Sequence, residues 1–585
     1  MSDRITSSSI ENLTRFDRHF FTGKEKFTYM GSGSLGGKAH GLARVKNILE
    51  SGAIAHSTPG VVIEIPTLTV IATDYFELFM KQNNLYEVAY SDMRDDLMAH
   101  AFQKAELPAQ LVGDLRALVE QVHTPLAIRS SSMLEDAMFE PFASVYATKM
   151  IPNNQPDADT RFRKLVEAIK FIYASTYFKD ASNYIRMTKH TTVDEKMAVV
   201  IQEVVGQRFD NRFYPQICGV ARSYNFYPTG HAKPEEGVVD LALGLGKMIV
   251  DDGVAWSYSP AYPGANPPYN SLNDLLKQTQ TEYWAINMGK PPAFDPIKET
   301  EYMLRYNLKD AENDGSLSFI ASTLRPEDGR ITIGTGVKGP RLIDFAPILK
   351  LGEIKLNDAL KSLLKTCEDA IGSLVEIEFA ATIDKRQATP LRLGFLQVRP
   401  MVVSHAKVDV ATEELTGDKV LAASENVLGN GIIESIKDIV YVKEENFGAK
   451  HTQKIAAELE PINFKLVESK KPYLIIGFGR WGTSDPQAGI PVNFGQISGA
   501  KVIVEATLPD MSFVLSQGSH FFHNVTSFQI CYFSIYHWGE FAVNWEWLKK
   551  QKAVAETEFV RHVELQSPLH IKVDGRSGRG VIEYE

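Results

Sequence analysis

The feature that most restricts how this chain can fold is an apolar run that stops at a permanent cation. In PLAIRSSSMLEDAMFEPFASVYAT, residues 125–148, Leu126, Ala127 and Ile128 read as the end of a buried strand. Arg129 follows at once, then the hydroxyls of Ser130, Ser131 and Ser132, then Glu135 and Asp136. A guanidinium offers a fork of donors and keeps its charge in almost any surroundings, so a strand emptying into Arg129 is one way to hold a phosphate. The same residues also make an ordinary strand end with a helix cap, because Ser and Asp are what helix starts use. The company this stretch keeps decides between the two.

Length allows about three or four domain-sized units in 585 residues. A hydrophobic content of 44% and a charged content of 23% are those of a soluble globular protein. The net charge of -10 argues against a nucleic-acid partner. Cys218, Cys367 and Cys531 lie far apart in apolar surroundings, which excludes a disulfide framework or a cysteine zinc site and fits a reducing cytosol. The opening MSDRITSSSI lacks the apolar core of a signal peptide, and no apolar run reaches bilayer-spanning length. The expectation is a cytoplasmic multidomain protein with no membrane partner.

Upstream, GSGSLGGKAHGLARVKNILESG (31–52) runs a glycine-rich loop into a helix carrying Lys38 in its first turn, with Gly52 read as its C-cap. Backbone N–H groups and the helix dipole favour an anion there. The P-loop reading fails, since Ser32 replaces its first glycine and Ala39 its Ser/Thr. A Rossmann reading would need a ribose-binding acid, for which Glu64 is poor support. A glycine turn without function stays open on these residues. Residues 61–84 read as strands and then an amphipathic helix, 196–205 as a buried strand interrupted by Gln202 and Glu203, and 260–295 as a Pro- and Asn-rich surface excursion.

Leu356, Leu360, Leu363, Leu364, Cys367 and Ile371 define a helix ending at Gly372, and a hairpin follows. Strand alternation puts Glu376 and Glu378 on one face of its first arm, and Gln397 and Arg399 on one face of its return. Paired in register, they set two acids, an amide and a guanidinium on one surface. Carboxylate oxygens suit Mg²⁺, and a nearby Arg suits a phosphate that Mg²⁺ bridges; a solvated hairpin face is the plainer alternative. From residue 408 the chain turns to an acidic helix and then short strands, with SQGSHFFHNVTS (516–527) placing His520 at a helix start and His523 one turn on. Without HExxH or a neighbouring Cys, zinc is not expected there. Residues 570–584 read as a terminal hairpin.

In order along residues 28–402, these motifs resemble the nucleotide-binding half of phosphoenolpyruvate synthase and pyruvate phosphate dikinase, an ATP-grasp-like domain. GGKAHGLARV is similar to the family's GGK-x-x-x-L opening, and IPTLTVIATDYFELF to its PPGF-x-x-T-x-x-Y-x-x-F segment. AIRSSSMLEDAMFEPFAS resembles VRSS-x-x-x-ED…FAG, LGLGKMIVDDGVAWS the GLGE-x-VV-x-G turn, and EIEFA…LGFLQVRP the DIEWA…LQ-x-RP hairpin. The C-terminal third is similar in outline to the swivelling phosphohistidine domain, with SQGSHFFHNV standing for GG-x-T-S-H-A-A-I.

The resemblance implies an α/β and α+β multidomain protein: a nucleotide-binding domain over 1–405, with an insertion near 260–295, then a phosphohistidine-like domain over 406–585 with an insertion near 477–491. It implies ATP and Mg²⁺ as cofactors, Lys38 and Arg129 on ATP phosphates, and Glu378 and Gln397 near the metal. Arg399 would stabilise the transferring phosphate, Glu376 would stand where the family has Asp, and Gln202 and Glu203 would line the adenine pocket. His520 would carry the phosphate, with His523 as competitor, and Arg480 and Asp485 in the second insertion would serve an unidentified acceptor. Lys247 departs from the pattern, replacing the acid of the GLGE turn, and there is no room for the pyruvate-binding barrel. The implied activity is an ATP-dependent phosphotransferase relaying phosphate through His520. Two other readings stay open: a direct kinase with His520 as general base, and a non-catalytic ATP-binding regulatory module.

Overall fold

The computed structural model describes residues 13–18, 25–50, 58–132, 146–187, 195–226, 228, 231–250, 254–266, 275–276, 279–384, 386, 390–401, 408–483, 485, 487–509, 511, 525 and 528–585. Two six-stranded sheets dominate its first 400 residues. The first runs Thr14–Arg15, Phe27–Met30, Leu68–Ile71, Met197–Glu203, Leu126–Ser132, Thr148–Ile151. The second runs Trp256–Tyr258, Val238–Ala242, Ile217–Arg222, Val375–Ile383, Leu391–Pro400, Val61–Glu64. Smaller sheets of four and three strands flank them.

Strand alternation divides the first sheet into two working faces. Ile71, Ile128, Val199 and Ile201 pack with the helical layer that includes Ala158–Ser175. Leu68, Val70 and Val200 turn the other way, towards the helix Gly36–Glu50 and Val398 of the second sheet. Gly36 allows that helix to start hard against the first sheet. Its φ is +76°, and a Cβ there would stand 1.7 Å from Ser131 O, so no larger residue fits.

The helix Leu356–Ile371 ends as its spacing predicts, with Gly372 in the left-handed region at φ 79°. One sequence expectation needs correction. Within the supposed excursion 260–295, Glu282–Asn287 is a strand between Met303–Asn307 and Arg212–Tyr214, with Tyr283, Ala285 and Ile286 buried. Its aromatic and apolar side chains outweigh the Pro- and Asn-rich flanks. The acidic helix expected after residue 408 shrinks to a single 3-10 turn, Thr412–Thr416.

The C-terminal part holds a seven-stranded sheet in which Asp438–Val442, Tyr473–Phe478, Ala500–Ala506 and Cys531–Ile535 run parallel. A four-stranded sheet beside it contains the terminal hairpin His570–Asp574/Arg579–Glu583. Segment 477–491 does not stand clear of this body, since Trp481 is buried and donates from Nε1 to Val504 O. All three cysteines are buried, and burial pushes each thiol up to about 12. Among the described residues no helix is long and apolar enough to cross a membrane.

Glu64 ties the two large sheets together, accepting from Lys26 beside the first and from Arg392 in the second. Burial alone would raise its pKa, but the two cations outweigh it and hold the carboxyl below the ordinary value of 4.5. A carboxyl depressed in the folded state contributes stability that is fully present above its unfolded pKa and is lost as pH falls through the folded one. Urea midpoints of wild type and Glu64→Gln are therefore expected to differ at about pH 7 and to converge by about pH 3. A gap that stays constant over that range would contradict this role.

Candidate functional site

The site grows out of one register. In the hairpin Val375–Ile383/Leu391–Pro400, Glu376 pairs with Arg399 and Glu378 with Gln397. The ladder then slips: Phe379 pairs with Phe395, which leaves Leu396 as the extra residue of a bulge. Val375, Ile377, Phe379 and Val398 fill the apolar side. The polar side is not the solvated face of the plainer reading, because Gln397 is 0%, Arg399 4% and Glu376 5% exposed.

This face meets Arg129 of the first sheet, 249 residues from Glu378 in the chain. Arg129 Nη2 donates to Gln397 Oε1 at 2.8 Å and to Glu378 Oε2 at 3.1 Å. Arg129 Nη1 donates to Leu396 O at 3.1 Å, the carbonyl that the bulge turns outward. The other oxygen of Glu378 lies 3.0 Å from Arg399 Nη2, and Arg399 Nη1 lies 3.4 Å from Glu376 Oε1. Glu376 Oε2 accepts from Arg222 Nε at 2.7 Å, and Arg222 Nη1 donates to Asp240 at 2.7 Å. Asp240 in turn accepts from Ser257 Oγ. Guanidinium and carboxylate thus alternate along a row: Arg129, Glu378, Arg399, Glu376, Arg222, Asp240. Burial would lower the pKa of Arg222, but Glu376 and Asp240 outweigh it and raise it.

Arg222 and Asp240 were not singled out by sequence reasoning, although the signal was there. Ile217–Ala221 is an apolar run that stops at Arg222, as Leu126–Ile128 stops at Arg129. The hydroxyls after Arg129 fasten the neighbouring helix. Ser131 Oγ donates to Leu35 O at 2.9 Å and accepts from Ala39 N at 3.3 Å. Ser130 Oγ accepts from Lys38 Nζ at 3.3 Å, which brings Lys38 to the same strand end as Arg129.

The glycine loop also differs from expectation. Ser32 N and Gly33 N donate to the two oxygens of Asp74 at 3.0 and 3.1 Å, and Ser34 N donates to Thr73 Oγ1 at 2.9 Å. Those amides hold a carboxylate of the chain itself. The cause is the next helix, Thr73–Gln82, whose first turn delivers Asp74.

Gln202 and Glu203 separate by strand alternation. Gln202 pairs with Ala127 and shares the face of Arg129, and its buried Nε2 has no partner among the described residues. Glu203 pairs with Leu126 on the opposite face and accepts from Thr124 Oγ1 at 2.6 Å. The structure therefore does not bring Glu203 to the Arg129 face. Lys247, where the family has an acid, lies 3.9 Å from Glu299, which also accepts from Thr148 N at 3.2 Å. An acid from a different segment stands beside that turn.

His520, His523, Glu135, Asp136 and Gly52 lie outside the described residues. In the seven-stranded sheet the carboxyl ends of three parallel strands are laced together: Gly479 N donates to Ala506 O, Thr507 N to Ile535 O, and His537 N to Thr507 Oγ1. Ends of this kind are where open parallel sheets place ligands. Arg480 pairs through its backbone with Ala488, and Asp485 accepts from Gln487 N within its own turn.

No curated protein matches this sequence. A family model does, that of the pyruvate phosphate dikinase AMP/ATP-binding domain, over residues 32–419. That span takes in Lys38, the strand of Arg129 and both arms of the acidic hairpin. The chain belongs to the phosphoenolpyruvate synthase and pyruvate phosphate dikinase family of ATP-dependent phosphotransferases.

Proposed function

We propose that the protein is an ATP-dependent phosphotransferase of the dikinase type, binding ATP in an ATP-grasp-like cleft between the Arg129 face and the acidic hairpin. The observation that carries this is the alternating row of buried and half-buried arginines and carboxylates joining the two sheets. Burying that many charges costs several kcal/mol per ion, and apolar residues of similar shape would stabilise the hairpin at least as well. Stability alone does not account for such a row, which supports a functional reading.

Glu378 and Gln397 are hard oxygen donors of the kind magnesium takes, so the residues fit the ion. Among the described residues no group of three or more His, Cys, Asp or Glu is placed to hold a metal, so phosphate oxygens would complete its shell. Bound magnesium would neutralise charge on the phosphates. Arg129 and Lys38 would orient them, and Arg399 would face the charge that develops on the phosphorus in flight. The buried Gln202 amide is a donor available to the adenine. His520 would accept the phosphoryl group on a neutral imidazole nitrogen and pass it on to a small-molecule or protein acceptor, the C-terminal unit acting as the carrier.

Incubation with γ- and β-labelled ATP tests this. The expected result is acid-labile, alkali-stable label on the protein, lost in His520→Ala, with AMP and phosphate as products. ADP formed only with an acceptor present would replace the relay by direct transfer. ATP binding with no product of any kind would make the protein a regulatory module.

A further inference from the structure

Arg129 Nη2 contacts both Gln397 Oε1, at 2.8 Å, and Glu378 Oε2, at 3.1 Å. These are the two oxygens assigned above to the metal. One cationic nitrogen therefore contacts both residues that would hold the divalent ion. The guanidinium is braced there, since Nη1 donates to Leu396 O on the bulge at 3.1 Å. Glu378 has a second cation, Arg399, on its remaining oxygen at 3.0 Å.

We propose, resting on the nucleotide-site reading, that Arg129 is a built-in surrogate cation which keeps the metal donors occupied until nucleotide arrives. On binding, Arg129 exchanges Glu378 and Gln397 for phosphate oxygens and releases both donors to the divalent ion. A phosphate can win this exchange because it offers the planar fork two acceptor oxygens and more negative charge than one carboxylate with an amide. The released Glu378 is then short of one positive partner in a half-buried setting, so nucleotide binding favours metal binding. By linkage the metal favours the nucleotide equally. The site thereby selects the metal–nucleotide complex over either component alone.

The probe is Mn²⁺, followed by electron paramagnetic resonance without nucleotide, with circular dichroism to check the fold of each variant. Arg129→Gln is expected to bind Mn²⁺ at least about tenfold more tightly than wild type, although the same change weakens ATP binding. Glu378→Gln gives an independent arm: with the arginine released from its carboxylate, metal-free ATP in excess chelator should bind about tenfold more tightly. In wild type, a non-hydrolysable ATP analogue should tighten Mn²⁺ binding by at least about tenfold. If wild type binds magnesium–ATP but neither variant gains affinity, or if its Mn²⁺ affinity ignores the analogue, the exchange is overturned and the nucleotide site stands. If wild type binds no ATP with or without metal, both fall.

Discussion

Arg399→Ala is expected to lose about 3–5 kcal/mol of folding stability and to cut ATP turnover by about 10²–10³-fold. The stability loss follows from position. Arg399 is buried between Glu376 and Glu378, touching one with each terminal nitrogen. Removing it leaves a buried and a half-buried carboxylate crowded on one strand face with a cation fewer between them. The turnover loss follows from the proposed role of Arg399 opposite the charge that develops on the transferring phosphate. Arg399→Lys separates the two effects. It keeps the charge but cannot hold both acids with one ammonium, so it should fold near wild type and still turn over at least about tenfold more slowly. Urea denaturation followed by circular dichroism, alongside ATP consumption, reads both. An Arg399→Ala variant as stable as wild type would mean that the row is not electrostatically coupled.

The second large effect lies outside the row, on the strand next to that of Arg129. Lys149, on the strand Thr148–Ile151, is 1% exposed and its partner Glu301 2%, with their charged atoms 2.8 Å apart. The ammonium also donates to Pro296 O at 2.7 Å and Lys298 O at 2.9 Å, which ties segment 295–301 to the first sheet. Burial drives the pKa of Lys149 down, and Glu301 opposes that. Lys149→Met is expected to cost about 3–5 kcal/mol, because Glu301 is left buried with no counter-charge. Adding Glu301→Leu should recover most of the loss, since a neutral apolar pair leaves no charge to desolvate. The four urea midpoints of that double-mutant cycle test it, and a double variant no better than Lys149→Met would refute the pairing argument. The clamp falls in the segment that carries Glu299, the partner of Lys247.

Short-range regularities were legible from the residues. The helix Leu356–Ile371 and its left-handed Gly372 follow from apolar spacing and a glycine stop. The pairing of Glu376 with Arg399 and of Glu378 with Gln397 follows from alternation across a hairpin whose arms are close in the chain. What escaped depends on pairing between distant segments. Asp74 takes the glycine-loop amides because a helix some forty residues later begins beside that loop. Glu203 turns away from Arg129 because alternation reverses its face relative to Gln202, which a two-residue motif cannot show. The strand Glu282–Asn287 is stabilised by neighbours on both sides, so local composition misreads it. Arg222 joins the row only once Ile217–Arg222 pairs with Val375–Ile383.

The strand Val61–Glu64 lies parallel to Leu391–Gly394 at the rim of the second sheet, while Leu68–Ile71, after only three intervening residues, belongs to the first. During biosynthesis, the ribosome must release the stretch near residue 394 before that rim can be finished. Until then the early segment lacks its partner strand in that sheet. Fragments cut between the two sheets should therefore fail to assemble as separate pieces, and a stalled nascent chain would expose an unfinished β-edge to chaperones.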